Sequence, residues 1–170
     1  MSRRPRSVSL LLLAAAAGHW STIAQAATQV VPVHAKPTKP LSLSRVQDLD
    51  LGTIVLAPGT WSGATVSISR AGQFSCSSPN VTCTGAPTTA AYTVSGSNNE
   101  VVRITAPNVV LTNESNPSQT LTMTVDSPGS VTLDSGGKKG TNFTLGGSVT
   151  LSSTTGGGLY AGTFDVTVDY

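Results

Sequence analysis

Charge is scarce in this chain: Asp, Glu, Lys and Arg make up 11% of its 170 residues, and aromatics only 5%. Low charge together with few apolar residues would mean disorder. Apolar residues stand at 38%, so a packed core is within reach. Lys and Arg form no stripe interleaved with aromatics, so the electrostatic footprint of a nucleic-acid binder is missing and no nucleic-acid partner is expected. After the first 26 residues there is no long apolar run, so no transmembrane segment is expected once they are removed. Histidine is nearly absent from that remainder, where His34 stands alone. A Ser-His-Asp arrangement would have to recruit it, and the chain has no G-x-S-x-G elbow. The two cysteines, Cys76 and Cys83, lack both CxxC spacing and further ligands. No redox site, metal site or cofactor is therefore expected.

The start of the chain reads as a secretory signal. Arg3, Arg4 and Arg6 precede an almost unbroken apolar run from Val8 to Ala17, and Ala24-Gln25-Ala26 supplies the small-x-small cleavage pattern. The expectation is a signal peptide over 1–26, cut between Ala26 and Ala27; an uncleaved anchor is the alternative. Removal of that segment leaves seven basic against eight acidic residues. The protein is expected to be exported to the periplasm, the outer surface or the medium. In that setting Cys76 and Cys83 are expected to form a disulfide across the turn-rich Ser77–Thr82 segment.

What is abundant is alternation with a period of two, the mark of half-buried strands. Leu121, Met123 and Val125 alternate with Thr120, Thr122, Thr124 and Asp126. Tyr160, Gly162, Phe164, Val166, Val168 and Tyr170 share one parity, with Ala161, Thr163, Asp165, Thr167 and Asp169 on the other. Clusters of Gly, Pro, Asn and Ser separate these runs, and no stretch after the signal has a sustained helical period. Short strands with regular turns predict an all-β, antiparallel, immunoglobulin-like sandwich over 41–170. Residues 27–40 differ, because Pro32, Pro37 and Pro40 cannot donate to a ladder. They are read as an extended N-terminal arm in which Val31, Val33 and Ala35 share a parity and could add to a sheet edge. A plain flexible leader is the competing reading.

Asp48-Leu49-Asp50-Leu51-Gly52-Thr53-Ile54-Val55 resembles the D-L-D-F-G-T-I opening of a secreted bacterial family, domain of unknown function 4402. The Cys76…Cys83 loop, the Leu121–Asp126 strand and the closing Leu159–Tyr170 run follow in the family's order. The likeness spans roughly Leu41 to Tyr170. It implies a small exported protein of Gram-negative bacteria, with no catalytic residues to transfer. The opening and the aromatic-ended last strand also look like fimbrial and spore-coat-like surface subunits. The resemblance to fimbrial subunits implies that one subunit's N-terminal extension completes a neighbour's sheet. Here the cysteine loop is local, a departure from the fimbrial pattern.

Other residues are candidates by their chemistry. Asp48 with Asp50, and Asp165 with Asp169, could pair as acid and base or hold Ca²⁺; solvated strand charges are the competing reading. Gly136-Gly137-Lys138-Lys139-Gly140 lacks the spacing of a phosphate loop. Asn80, Asn113 and Asn142 begin glycosylation-type triplets, which a Ser/Thr-rich chain also produces by chance. Trp61 or Phe74 could stack on a sugar, or pack in the core. The resulting expectation is a non-enzymatic structural or surface subunit, fimbria-like or adhesive. It would assemble by strand addition with itself or with another surface subunit. The alternative is a monomeric secreted module that binds sugar or protein.

Overall fold

The computed structural model describes residues 29–134 and 139–170. The expected signal, its Ala26/Ala27 junction and most of the Gly-Lys loop lie outside the described residues. The chain divides into two units after Ala35. In the first, Gln29–Ala35 are exposed and belong to no strand.

Among its described residues the second unit is built of strands, with no helix. Every strand pairing is antiparallel. The large sheet contains β1 (Ser42–Gln47), β6 (Ala90–Ser95), β11 (Thr141–Leu151), β9 (Asn116–Asp126), β8 (Val109–Asn113) and β12 (Tyr160–Ala161), in that order. From β11 it branches to β3 (Ala64–Ile68), which also pairs β4 (Phe74–Ser75). A second sheet has the order β10 (Ser130–Thr132), β7 (Val101–Thr105), β13 (Thr167–Asp169). A third joins β2 (Thr53–Leu56) to β5 (Val81–Thr84).

The alternation in the sequence decides which face is covered. On β11, Phe143, Leu145, Val149 and Leu151 are buried, while the intervening Asn142 and Thr150 are exposed. Each such side chain stabilises the fold by roughly 1.5–3 kcal/mol. Two apolar clusters result. One joins Ala64, Val66, Val109, Met123, Val149 and Leu151 of the large sheet to Val81, with Ile54 and Leu56 packed on it. The other joins Ala90, Val94, Phe143 and Leu145 to Val102, Ile104 and Leu133. The two small sheets thus form a second layer over the large one, each covering its own cluster, in a sandwich-like arrangement. Leu49, Val125 and Phe164 touch both clusters.

The closing run is not one strand. Its parity survives, since Phe164, Val166 and Val168 are half-buried and their odd neighbours exposed. Tyr160 and Ala161 pair with β8, whereas Thr167–Asp169 pair with β7 in the other layer. Residues 162–166 make the crossing. Gly162 permits it by lying against β8, where a Cβ would stand 2.7 Å from the Val110 carbonyl oxygen.

Cys76 and Cys83 are joined, with Cα atoms 6.3 Å apart, and both pack on the first cluster. Closing so short a loop restricts the unfolded chain by about 2–3 kcal/mol. The C76S/C83S double variant should lose about that much stability in denaturant unfolding.

Candidate functional site

The second layer leaves a groove of about 780 Å³ beside the first cluster, although Met123, Val149 and Leu151 at its base are each no more than 4% exposed. Its floor is the inner face of the large sheet, with Leu121, Met123, Val149 and Leu151; its walls are the segments 48–56 and 155–164.

The first wall is built by the Asp48–Val55 motif. Asp50 and Thr88 exchange both backbone hydrogen bonds, at 2.9 and 2.8 Å. The Asp50 carboxylate then accepts from the Gly52 N–H at 2.8 Å. Gly52 has φ +75°, and a Cβ there would meet the Thr84 carbonyl oxygen at 2.6 Å. Only glycine lets the chain turn so close to β5. Beyond it β2 pairs β5 with Val55 opposite Thr82 and Leu56 opposite Val81. The Ala57 N–H donates to the Asn80 carbonyl at 2.9 Å, one step further along. Opposed antiparallel residues alternate between bonded and non-bonded pairs. Thr53, Val55 and Ala57 therefore bond to β5, and Ile54 and Leu56 turn their N–H and C=O groups to the groove side. Their side chains pack on the first cluster.

The second wall depends on Asn113, which is fully buried at the end of β8. Its amide nitrogen donates to Gln119 Oε1 and to the Gly157 carbonyl, both at 3.0 Å. Its oxygen accepts from the N–H groups of Ser115 (2.9 Å) and Asn116 (3.3 Å). Further along, the Glu114 N–H donates to the Leu159 carbonyl, and the Tyr160 hydroxyl to the Gly156 carbonyl. The glycine run is thereby held against the β8–β9 turn. Such burial leaves Asn113 no room for a glycan.

One end of the groove is polar. Arg45 and Asp48 form an exposed ion pair at 2.8 Å, beside Tyr92, whose ring stacks on Phe143. Burial pushes the Tyr92 hydroxyl above its ordinary pKa; Arg45 lowers it and Asp48 raises it.

Of the residues singled out in the sequence, Val31, Val33 and Ala35 are exposed in the arm, as is His34. Asp48 is occupied by Arg45 and Asp50 by Gly52. Asp165 is exposed, and Asp169 lies on β13. No group of three or more His, Cys, Asp or Glu suited to a metal occurs among the described residues. Trp61 is half-buried, packs on the first cluster and donates from Nε1 to the Ala57 carbonyl. Its ring therefore serves packing. Phe74 is exposed on β4. The sequence marked Asn113 only as the start of a glycosylation-type triplet, and neither its buried structural role nor the groove was legible there. The Gly156–Gly158 run was the available signal for the second wall.

Residues 36–40 belong to the second unit and are fastened to it. Lys36 pairs with Glu100 at 2.6 Å. The Tyr170 hydroxyl donates to the Lys39 carbonyl (2.6 Å) and accepts from the Ser97 N–H (2.8 Å). The Lys39 N–H in turn donates to Ser97 Oγ. Tyr170→Phe removes two of these three bonds at an exposed position, and should cost about 1 kcal/mol. Faster amide exchange at Ser97 is the local readout.

Fold and site together define an all-β domain with a groove beside its core along one strand edge. By sequence, the chain belongs to the family described as "Domain of unknown function (DUF4402)", which matches residues 41–170. Comparison with curated proteins and with solved structures gives no match.

Proposed function

We propose that this chain is an exported, non-enzymatic surface subunit that assembles when the arm of one copy adds as a strand to the groove of another. The supporting observation is the groove itself, where the edge of β2 away from β5 pairs with no strand among the described residues and lies over an apolar floor. The arm supplies a matching shape: Val30, Val31 and Val33 are 92%, 75% and 87% exposed. Backbone pairing would supply affinity, and alternate apolar side chains would supply fit. The groove's volume lies within the range of ligand sites, so size alone does not choose the occupant. A seven-residue strand such as Gln29–Ala35 reaches about 23 Å, enough to line β2 from end to end.

Deleting Ala27–Ala35 tests the reading, since Lys36 and its contacts stay. Light scattering on protein purified after export should find multimers for the intact chain and monomers for the truncated one. Monomers in both cases would defeat the assembly reading and leave a stand-alone module that binds sugar or protein.

A further inference from the structure

Resting on that reading, we infer that the arm of a second copy lies antiparallel to β2 and bonds to its edge away from β5 through Val31, Val33 and Ala35, not through Val30, Pro32 and His34.

Three placements fix this arrangement. First, Ile54 and Leu56 are the β2 residues whose backbone groups face the groove, and their side chains point to the core. Second, the arm residues suited to face an apolar floor are Val31, Val33 and Ala35, all of one parity. Third, Pro32 has the other parity and no N–H to give.

In a strand of L-residues, the face a side chain takes and the lateral side its N–H and C=O take are linked. Reversing strand direction exchanges the lateral sides while the inward set stays inward. With the arm antiparallel to β2, its inward residues bond toward Ile54 and Leu56, as opposed residues of a bonded pair do. Pro32 then turns its missing donor toward the other wall. Along that wall, 155–164, only Tyr160 and Ala161 are in a strand, so Pro32 meets at most a two-residue edge there. With the arm parallel to β2, inward Val31 and Val33 would bond away from β2. Pro32 would face it, and the ladder would lose a donor at its centre. The antiparallel arrangement alone keeps every N–H that β2 needs.

Two proline variants of the exported chain separate these cases. Val33→Pro removes an N–H on the β2 side, and His34→Pro removes one on the far side. Both impose the same φ restriction, so their difference isolates the hydrogen bond. Val33→Ala controls for the side chain. Val33→Pro should weaken arm-dependent association by about tenfold or more. His34→Pro should leave it within about threefold, a change well under one lost hydrogen bond. Equal effects, or a reversed order, would overturn the inference while leaving strand addition standing. Multimers that survive deletion of Ala27–Ala35 would overturn both.

The edge is tested separately. Val55 and Val46 are both exposed, on β2 and β1 respectively. With Val30→Cys on the arm, a short thiol crosslinker should join subunits through Val55→Cys and not through Val46→Cys. Crosslinking through Val46→Cys alone would assign the arm to β1 and overturn the choice of edge.

Discussion

Gly146→Ala should cost about 3–5 kcal/mol and leave little folded protein at 37 °C, because the three nearest obstacles to a Cβ are all backbone. β11 changes partners at this residue. Thr141–Leu145 pair with β6, while Gly147–Leu151 pair with β3 and Gly146–Val149 with β9. To pass between them, β11 brings Gly146 against the backbone just beyond β3. A Cβ would collide with the Ile68 carbonyl oxygen and stand 2.6 Å from the Arg70 nitrogen. That backbone is itself fixed, since the Arg70 N–H donates to Asp126 at 2.9 Å and the Arg70 carbonyl accepts from Thr144. At Gly147 the nearest atom is Met123 Sδ at 2.9 Å, a flexible side chain, so alanine there should cost only about 1–2 kcal/mol. Gly157 has nothing within 4 Å, and Gly157→Ala should fall within about 0.5 kcal/mol of the parent. Denaturant unfolding of the three variants should follow that order. A Gly146→Ala protein as stable as Gly157→Ala would mean the partner switch is not where the fold is held.

Asn113→Ala is the second large loss. The substitution removes two donors and the acceptor of two backbone N–H groups from a fully buried site. Unsatisfied buried partners add their desolvation to the lost bonds, so a cost of about 3–4 kcal/mol is expected. The glycine run should come loose first, giving new proteolytic cuts near 156–160 while the large sheet stays protected. Asn113→Asp offers a sharper signature. Its carboxylate could still accept from Ser115 and Asn116, but would face Gln119 Oε1 and the Gly157 carbonyl. Burial against these oxygens would raise its pKa above the unfolded carboxylate value. A raised acid group favours the folded state when protonated. The stability of the variant relative to wild type should therefore be greatest at acid pH, and should fall as pH rises through the folded-state pKa. A stability gap independent of pH would show that the aspartate reaches water.

Much of the fold was legible in the sequence because it rests on local rules. Period-two alternation marks Leu121, Met123 and Val125 as one face, and β9 turns them inward while Thr120, Thr122 and Thr124 are exposed. The same rule kept the parity of the closing run correct across a break it could not anticipate. The cysteine spacing pointed to a local loop, and the structure joins Cys76 to Cys83. Asn113, by contrast, stands in a run of turn-forming residues, and nothing local separates a solvated turn asparagine from one buried among four partners. Its role depends on Gly157, 44 residues away.

The groove was illegible for a related reason. It is a gap between β2 and the segment after Gly156, and a gap is a property of how two distant strands are spaced across a third. The Asp48–Gly52 motif marked the family but did not say what its turn was for. Gly52 positions β2 against β5, and the opposite edge of β2 then pairs with no strand among the described residues.

The sequence by itself determined the strand faces, the all-β class and the cysteine loop, since side-chain alternation and short-range closure act within a few residues. Only the tertiary structure decided where β11 exchanges partners, which edge of β2 pairs with β5 and why Asn113 and Gly146 carry the domain. Those are set by groups from remote parts of the chain meeting at hydrogen-bond or van der Waals distance, and no local pattern encodes that approach.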